Sequence, residues 1–312
     1  MEQNILDELD NMPEHQKIRK LDQMQYALEI FDGNGIDLSK SIEYGVISEN
    51  DQVFATHNRH LFMKYAGDLN RYLHNFISSS YTLMSITNNV MSNYEIDSPV
   101  FYKEYEEKKM QLTSNPVFNI FFQLRQYVQH IKLIIPSRQF HWDRENGSSR
   151  KLLLETDTLI SYIEKQTKRS KSDNEIKVIN EVTLKYLNNV GGEIDLRNLF
   201  EDYIEAVHEF YYWVYSRLKE IHDEDLKKIN EKRKEGRKLY IPTILSTNIT
   251  LYKEGNMGDL DVIFLNTMDS LTYEKIKNEH SDMNERILAM ISYIESDVGI
   301  SSELKKMILG LI

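Results

Sequence analysis

A mainly α protein is what this sequence predicts, on three observations. The 312 residues include only 5 prolines and 12 glycines, too few breakers for a turn-rich β fold. Long segments repeat their apolar residues every three or four positions, the period of one helix face. Against that background, "PSRQFHWDRENGSSRKLLLE" places Asn146-Gly147 between two extended runs. Asn-Gly tolerates the positive φ angles of a tight hairpin turn. The expected architecture is an antiparallel helical bundle with an inserted β-hairpin at about 137–155 and a small α/β extension at the C-terminus.

The elements follow in order. Residues 1–50 read as a helical lead-in, with Pro13 suited to a first helical turn. Ile18, Leu21, Tyr26, Leu28 and Phe31 recur at loosely helical spacing, and "DGNG" at 32–35 is expected to stop that helix. "IDLSKSIEYGVIS" is short and ambiguous. A long helix is expected from about Asn50 to Met91, on a stripe that includes Leu61, Tyr65, Leu69, Phe76, Leu83 and Val90. "SSS" at 78–80 lies within it and admits close approach by another helix. Ser98-Pro99 and Asn115-Pro116 then open two helices, each with a capping residue and a proline in the first turn. The second carries "FFQLRQYVQH", ends before Pro136 and leads into the hairpin.

Thr156 or Asp157 caps the next helix, and "KQTKRSKSDNE" reads as an exposed basic loop. Gly191-Gly192 stops another helix. The most regular segment is read as continuing from Leu196 to a stop at Gly236. Within it Leu196, Phe200, Tyr203, Val207, Phe210, Val214, Leu218 and Ile221 leave one stripe to bury. "KLYIPTILSTNITLYK" is rich in β-branched residues with period two in places, and predicts a second strand pair. Helices return at 268–296 and 301–311, the last opened by Ser301. The resulting divisions are a lead-in at 1–50, a bundle with its hairpin at 51–235, and an extension at 236–312.

The bulk numbers exclude several function classes. A net charge of −11 argues against a protein that coats nucleic acid non-specifically, though a small basic site can sit on an acidic body. The absence of cysteine removes disulfides, thiolate zinc sites and cysteine nucleophiles. No apolar run approaches the roughly 20 residues needed to cross a bilayer, so no membrane association is expected. The acidic start "MEQNILDELDNMPE" lacks the layout of a signal peptide, and a cytoplasmic protein is the expectation.

Most chemical motifs dissolve on inspection. His57 and His60 lie three apart but lack a third ligand in sequence, and read as a helix start. Glu205 and His208 form an E-x-x-H step, but a helical di-metal site needs two such steps and the chain has one. "GNG" and "GGE" lack the strand-loop-helix context of a phosphate loop, and no G-x-S-x-G appears. No metal and no cofactor is expected. What remains is Arg125 and His130, five residues apart on one helix and so about 140° apart around its axis. Spacing alone favours a polar edge of a packed helix over a chemical pair.

Arg125, Gln126 and His130 on a late helix of an α bundle resemble the R-x4–6-H signature of HEPN-domain proteins, with Gln126 where many members carry asparagine. "LRQYVQH" also resembles an "LRNY-x-x-H" pattern of uncharacterised bacterial proteins, and "RYLHNFISS" at 71–79 is similar to part of the same pattern. The likeness covers at most residues 51–235. It implies a metal-independent endoribonuclease of toxin–antitoxin or phage-defence type, acting as a homodimer, with Arg125 and His130 as the catalytic pair. His74 and Asn75 are candidate supporting partners beside Gln126.

The residue types fit that chemistry. RNA carries its own nucleophile in the 2′-hydroxyl, imidazole exchanges protons near neutrality, and guanidinium holds phosphate while staying charged. Lys132, Arg138, Arg144, Arg150 and Lys151 make the region locally basic, and His141 and Trp142 offer faces for base stacking. The alternative is a non-catalytic helical dimer that binds RNA, an antitoxin or another protein partner. Its support is Gln126, the acidic surface and the extension at 236–312.

Overall fold

The computed structural model describes residues 2–130, 136–144, 147–169, 174–256, 260–264 and 267–311. Helix accounts for 84% of the described residues, and their other regular structure is a small three-stranded antiparallel sheet. The chain divides into two compact units, residues 20–220 and residues 1–19 with 221–312. These units are drawn differently from the three divisions read off the sequence.

The larger unit begins within α2 (Pro13–Val46) and continues through the 3₁₀ segments Ser48–Phe54 and Thr56–Asn58. It then runs through α3 (Arg59–Met91), α4 (Tyr94–Asp97), α5 (Pro99–Thr113) and α6 (Pro116–His130). Strands β1 (Ser137–Asp143) and β2 (Gly147–Glu155) follow, then α7 (Thr156–Arg169), α8 (Asn174–Val190), β3 (Glu193–Asp195) and α9 (Leu196–Ile221). Its core is aromatic: Phe76 meets Phe31, Phe121, Phe200 and Tyr203 with ring centroids 5.0 to 5.7 Å apart.

"DGNG" does not stop α2. Met24, Ala27, Phe31, Leu38 and Ile42 are all buried, and Gly35 occupies the gap in that stripe. A Cβ at Gly35 would lie 3.1 Å from Ile204 Cδ1 and 3.5 Å from Phe76. The glycine marks close helix approach rather than a break, because burial on both sides outweighs its weak helix propensity. Gly45 is tighter still: its Cβ would lie 2.6 Å from Leu152 Cδ1. The helix expected from Asn50 also starts later, because residues 48–58 form the 3₁₀ turns.

The sheet order is β1-β2-β3, and the hairpin stands where the sequence places it. Leu152, Leu153 and Leu154 are all buried, so the base of the hairpin is covered on both faces. Ile194 of β3 pairs with Leu154. At the other end Phe140 and Trp142 are 58% and 64% exposed, so the tip is an open aromatic arm.

The smaller unit holds α1 (Glu2–Asn11), α10 (Asp223–Lys253), a 3₁₀ turn at Leu260–Phe264, α11 (Ser270–Glu279), α12 (Met283–Asp297) and α13 (Ser302–Leu309). Lys232 pairs with Glu8 at 2.6 Å, which ties α1 to α10. The strand pair expected after Gly236 is absent: "KLYIPTILSTNITLYK" lies inside α10. Ile241, Leu245 and Ile249 are fully buried at steps of four, and this helical stripe overrides the β-branched composition. The regular segment also breaks at His222, and α10 continues through Gly236 and Pro242. Ser301 caps α13, accepting from the Leu304 N–H at 3.1 Å.

Candidate functional site

Helix α6 presents different chemistry on different sides. Asn115 accepts from the Val117 N–H at 2.9 Å at its start. Val117, Ile120, Phe121, Leu124 and Tyr127 are buried. Asn119 and Gln123 are buried too, and they need partners. Asn119 Nδ2 donates to Thr183 Oγ1 at 2.6 Å, and Gln123 Nε2 donates to Asn180 Oδ1 at 3.1 Å. Asn180 Nδ2 in turn donates to Thr167 Oγ1 at 3.1 Å. This network joins α6, α7 and α8 and sets the rotation of α6, since turning the helix would strand its amides.

Two residues beyond Gln123, about 200° round the helix, comes Arg125. Phe121 and Phe122, four and three positions earlier, share its side of α6. Its guanidinium carbon lies 3.7 Å from the centroid of the Tyr81 ring of α3, a cation–π stack. Arg125 Nε is buried without a hydrogen-bond partner. Among the described residues Arg125 meets no carboxylate, whereas Arg71, Arg197 and Arg217 pair with Asp68, Glu43 and Glu104.

Arg125 lines a cavity of about 200 Å³ between α3, α6, Thr113 and α9. Tyr81 and Phe122 are each 45% exposed at its edge, whereas Phe121 and Tyr203 are buried. The hydroxyls of Ser80 and Tyr203 hydrogen-bond to one another. Burial pushes the Tyr203 phenol well above its ordinary pKa, so this contact stays a hydroxyl pair. Asn88 accepts from the Tyr105 hydroxyl at 2.8 Å. Ser80 thus meets α9 through the long side chain of Tyr203.

The hairpin arginines stand differently. Cross-strand pairing of Arg138 with Leu152 and Phe140 with Arg150 puts both arginines on one face. Asp51 reaches that face from the 3₁₀ segment, 2.6 Å from Arg138 and 2.7 Å from Arg150. Arg150 Nε also donates to Asp51 Oδ1 at 2.8 Å, which makes that pair two-pronged. Arg138 donates to the Ile47 carbonyl at 3.1 Å and lies 4.3 Å from the Phe54 ring centroid. Hydrogen bonds from Arg150, then Arg138, hold the Asp51 carboxyl at about 2 against an ordinary 3.8.

The other sequence candidates scatter. His130 ends α6 and its side chain lies outside the described residues, as does the whole of Lys132. Gln126 is half-buried. His141 and Lys151 are exposed on the opposite face of the hairpin from Arg138 and Arg150, and Arg144 is exposed at the turn. His74 and Asn75 are exposed on α3 and do not line the cavity.

His57 and His60 are exposed at the start of α3. His208 Nε2 is 2.8 Å from Asp32 and its ring meets Phe31 edge-on, so the E-x-x-H step ends in an ordinary helix contact. No cluster of three or more metal-ligating side chains occurs among the described residues. None of the described helices is long and apolar enough to cross a membrane.

Sequence reading missed Tyr81 and Asp51, the two residues that decide how the arginines stand. Tyr81 is one of 19 tyrosines, and Asp51 is distant in sequence from both of its arginines. Neither carries a local signal. Comparison with family models, curated proteins and solved structures finds no match to this chain.

Proposed function

We propose that the protein is a HEPN-like, metal-independent endoribonuclease of toxin or phage-defence type, with Arg125 and His130 as its working pair. The observation that carries this reading is the state of Arg125: its guanidinium carbon lies over the Tyr81 ring, with no carboxylate partner among the described residues. A guanidinium so placed is held in position while its charge is left for an anion. In the proposed reaction the 2′-hydroxyl of RNA attacks the adjacent phosphorus and loses its proton to an imidazole. The bond to the 5′-oxygen breaks, and that oxygen takes a proton from a second imidazole. Two copies of the chain supply the two histidines. Arg125 stabilises charge growing on the phosphate oxygens. The products are a 2′,3′-cyclic phosphate and a 5′-hydroxyl.

The test is RNA incubated with purified protein in the presence of a chelator. Wild type should cleave and leave cyclic phosphate ends. Arg125→Ala and His130→Ala should each lose about 10²- to 10³-fold. Cleavage at the wild-type rate by both variants removes the reading.

A second reading is a non-catalytic dimer that binds RNA or a protein partner, and one observation favours its protein-binding form. Asp51 takes up Arg138 and Arg150, so two of the basic residues meant for RNA are neutralised. Folded wild type that neither binds nor cleaves RNA supports that form over the first reading.

A further inference from the structure

The cavity beside Arg125 has chemistry of its own, independent of whether RNA is cleaved. Its interior is apolar, with Ile77, Met84, Phe118 and Phe121 among the walls. The polar groups within reach are mostly occupied with each other. Ser80 and Tyr203 share a hydrogen bond, and Asn88 holds the Tyr105 hydroxyl at 2.8 Å. Arg125 is different: its Nε is buried without a partner, and among the described residues its guanidinium meets no carboxylate. An unpaired donor on a charged group in an apolar surround is costly, and a ligand that meets it gains what the free protein lacks.

Those facts define a ligand. Its body must be apolar, because the walls leave few donors or acceptors free. A nucleobase, polar around its whole rim, would lose hydrogen bonds to water and regain few of them. Its one polar end must accept hydrogen bonds and carry negative charge, to face the guanidinium. A planar carboxylate can take two nitrogens of a guanidinium at once. Size follows from the volume: an apolar cavity of about 150 Å³ holds benzene, so about 200 Å³ suits one ring with a small substituent.

We propose that this cavity binds a small monocarboxylic acid, its ring or short chain between α3 and α6 and its carboxylate on Arg125. Tyr81 positions the guanidinium from one face, and Phe122 forms part of the opening.

The full-length protein is titrated with benzoate and, separately, with benzamide, a neutral ligand of nearly the same shape. Ligand-observed and aromatic NMR report binding. Benzoate should bind at least about tenfold tighter than benzamide and shift ring resonances of Tyr81 and Phe122. Arg125→Gln should bring the two ligands to equal affinity, and Arg125→Lys should keep part of the preference because it keeps the charge. Amide and acid binding wild type equally, neither binding to folded wild type, or benzoate binding undiminished in Arg125→Gln would each overturn the proposal. Displacement of benzoate by an equal concentration of inorganic phosphate would also overturn it, since a bare anion site needs no cavity. RNA cleavage is not read in this titration, so failure here leaves the nuclease reading standing, and failure of that reading leaves this one.

Discussion

Arg125 and the pair Arg138 and Arg150 are the same residue type within 25 positions of chain, and each lies near an aromatic ring. They differ in what else they meet. Arg138 and Arg150 converge on Asp51 and are only 10% and 11% exposed at the side chain. Their charge anchors the hairpin to residues 48–54. Arg125 has the ring of Tyr81 and an unpartnered Nε. Formal charge along a sequence therefore overstates the charge a site can offer. The quantity that matters is charge left after internal pairing, and Asp51 sets it for the hairpin.

The sharpest break of this comparison is catalytic. If the nuclease reading holds, Arg125→Ala loses about 10²- to 10³-fold in RNA cleavage, whereas Arg138→Ala and Arg150→Ala stay within a few-fold. Equal losses at all three positions would erase the distinction between anchored and available arginines. Next in size is Asp51→Asn, which releases two guanidinium charges to the surface. Binding to a single-stranded polyanion should strengthen, and the slope of log K against log salt should steepen by about 1 to 2. An unchanged slope would mean that the released charges stay hidden.

Acid offers the same break without a mutation. The Asp51 carboxyl is held at about 2 against an ordinary 3.8, so its ionised form contributes to folding above its unfolded value. That contribution fades as pH falls from about 4 towards 2, and is gone below both values. Amide exchange in β1 and β2, corrected for intrinsic rates, should accelerate over that window in wild type and show no such step in Asp51→Asn. The smallest effect concerns Tyr81. Tyr81→Ala removes a stack worth about 0.5–1 kcal/mol and should lower RNA cleavage a few-fold through kcat. Tyr81→Phe keeps the ring and should behave as wild type.

Much of the architecture is legible locally. The proline-opened starts of α5 and α6, the stripe of α9 and the Asn-Gly hairpin are each carried by residues within a few positions of one another. The failures have a common cause. "DGNG" has the composition of a stop and "KLYIPTILSTNITLYK" that of strands, yet both lie in helices. In each, the deciding term is burial against distant residues: Gly35 against Phe76 and Ile204, and Ile241, Leu245 and Ile249 in the second core. Local propensity differs by about 1 kcal/mol per residue, less than burying one large aliphatic side chain, at about 1.5–3 kcal/mol. At the candidate site, Arg125 was legible as a basic residue in an aromatic helix. The cavity beside it was not, because its walls come from α3, α6 and α9, which together span more than a hundred residues of the chain.

By itself the sequence determined that this is a mainly helical protein with a hairpin at 137–155, where several helices begin, and which residue types are at hand for phosphate chemistry. Periodicity and capping act over a turn or two, so a linear reading captures them. Only the tertiary structure decided which arginine is available, because that depends on which acid folding brings within hydrogen-bond reach. Asp51 stands 87 positions before Arg138 and 99 before Arg150, and short-range electrostatics takes no account of that separation along the chain.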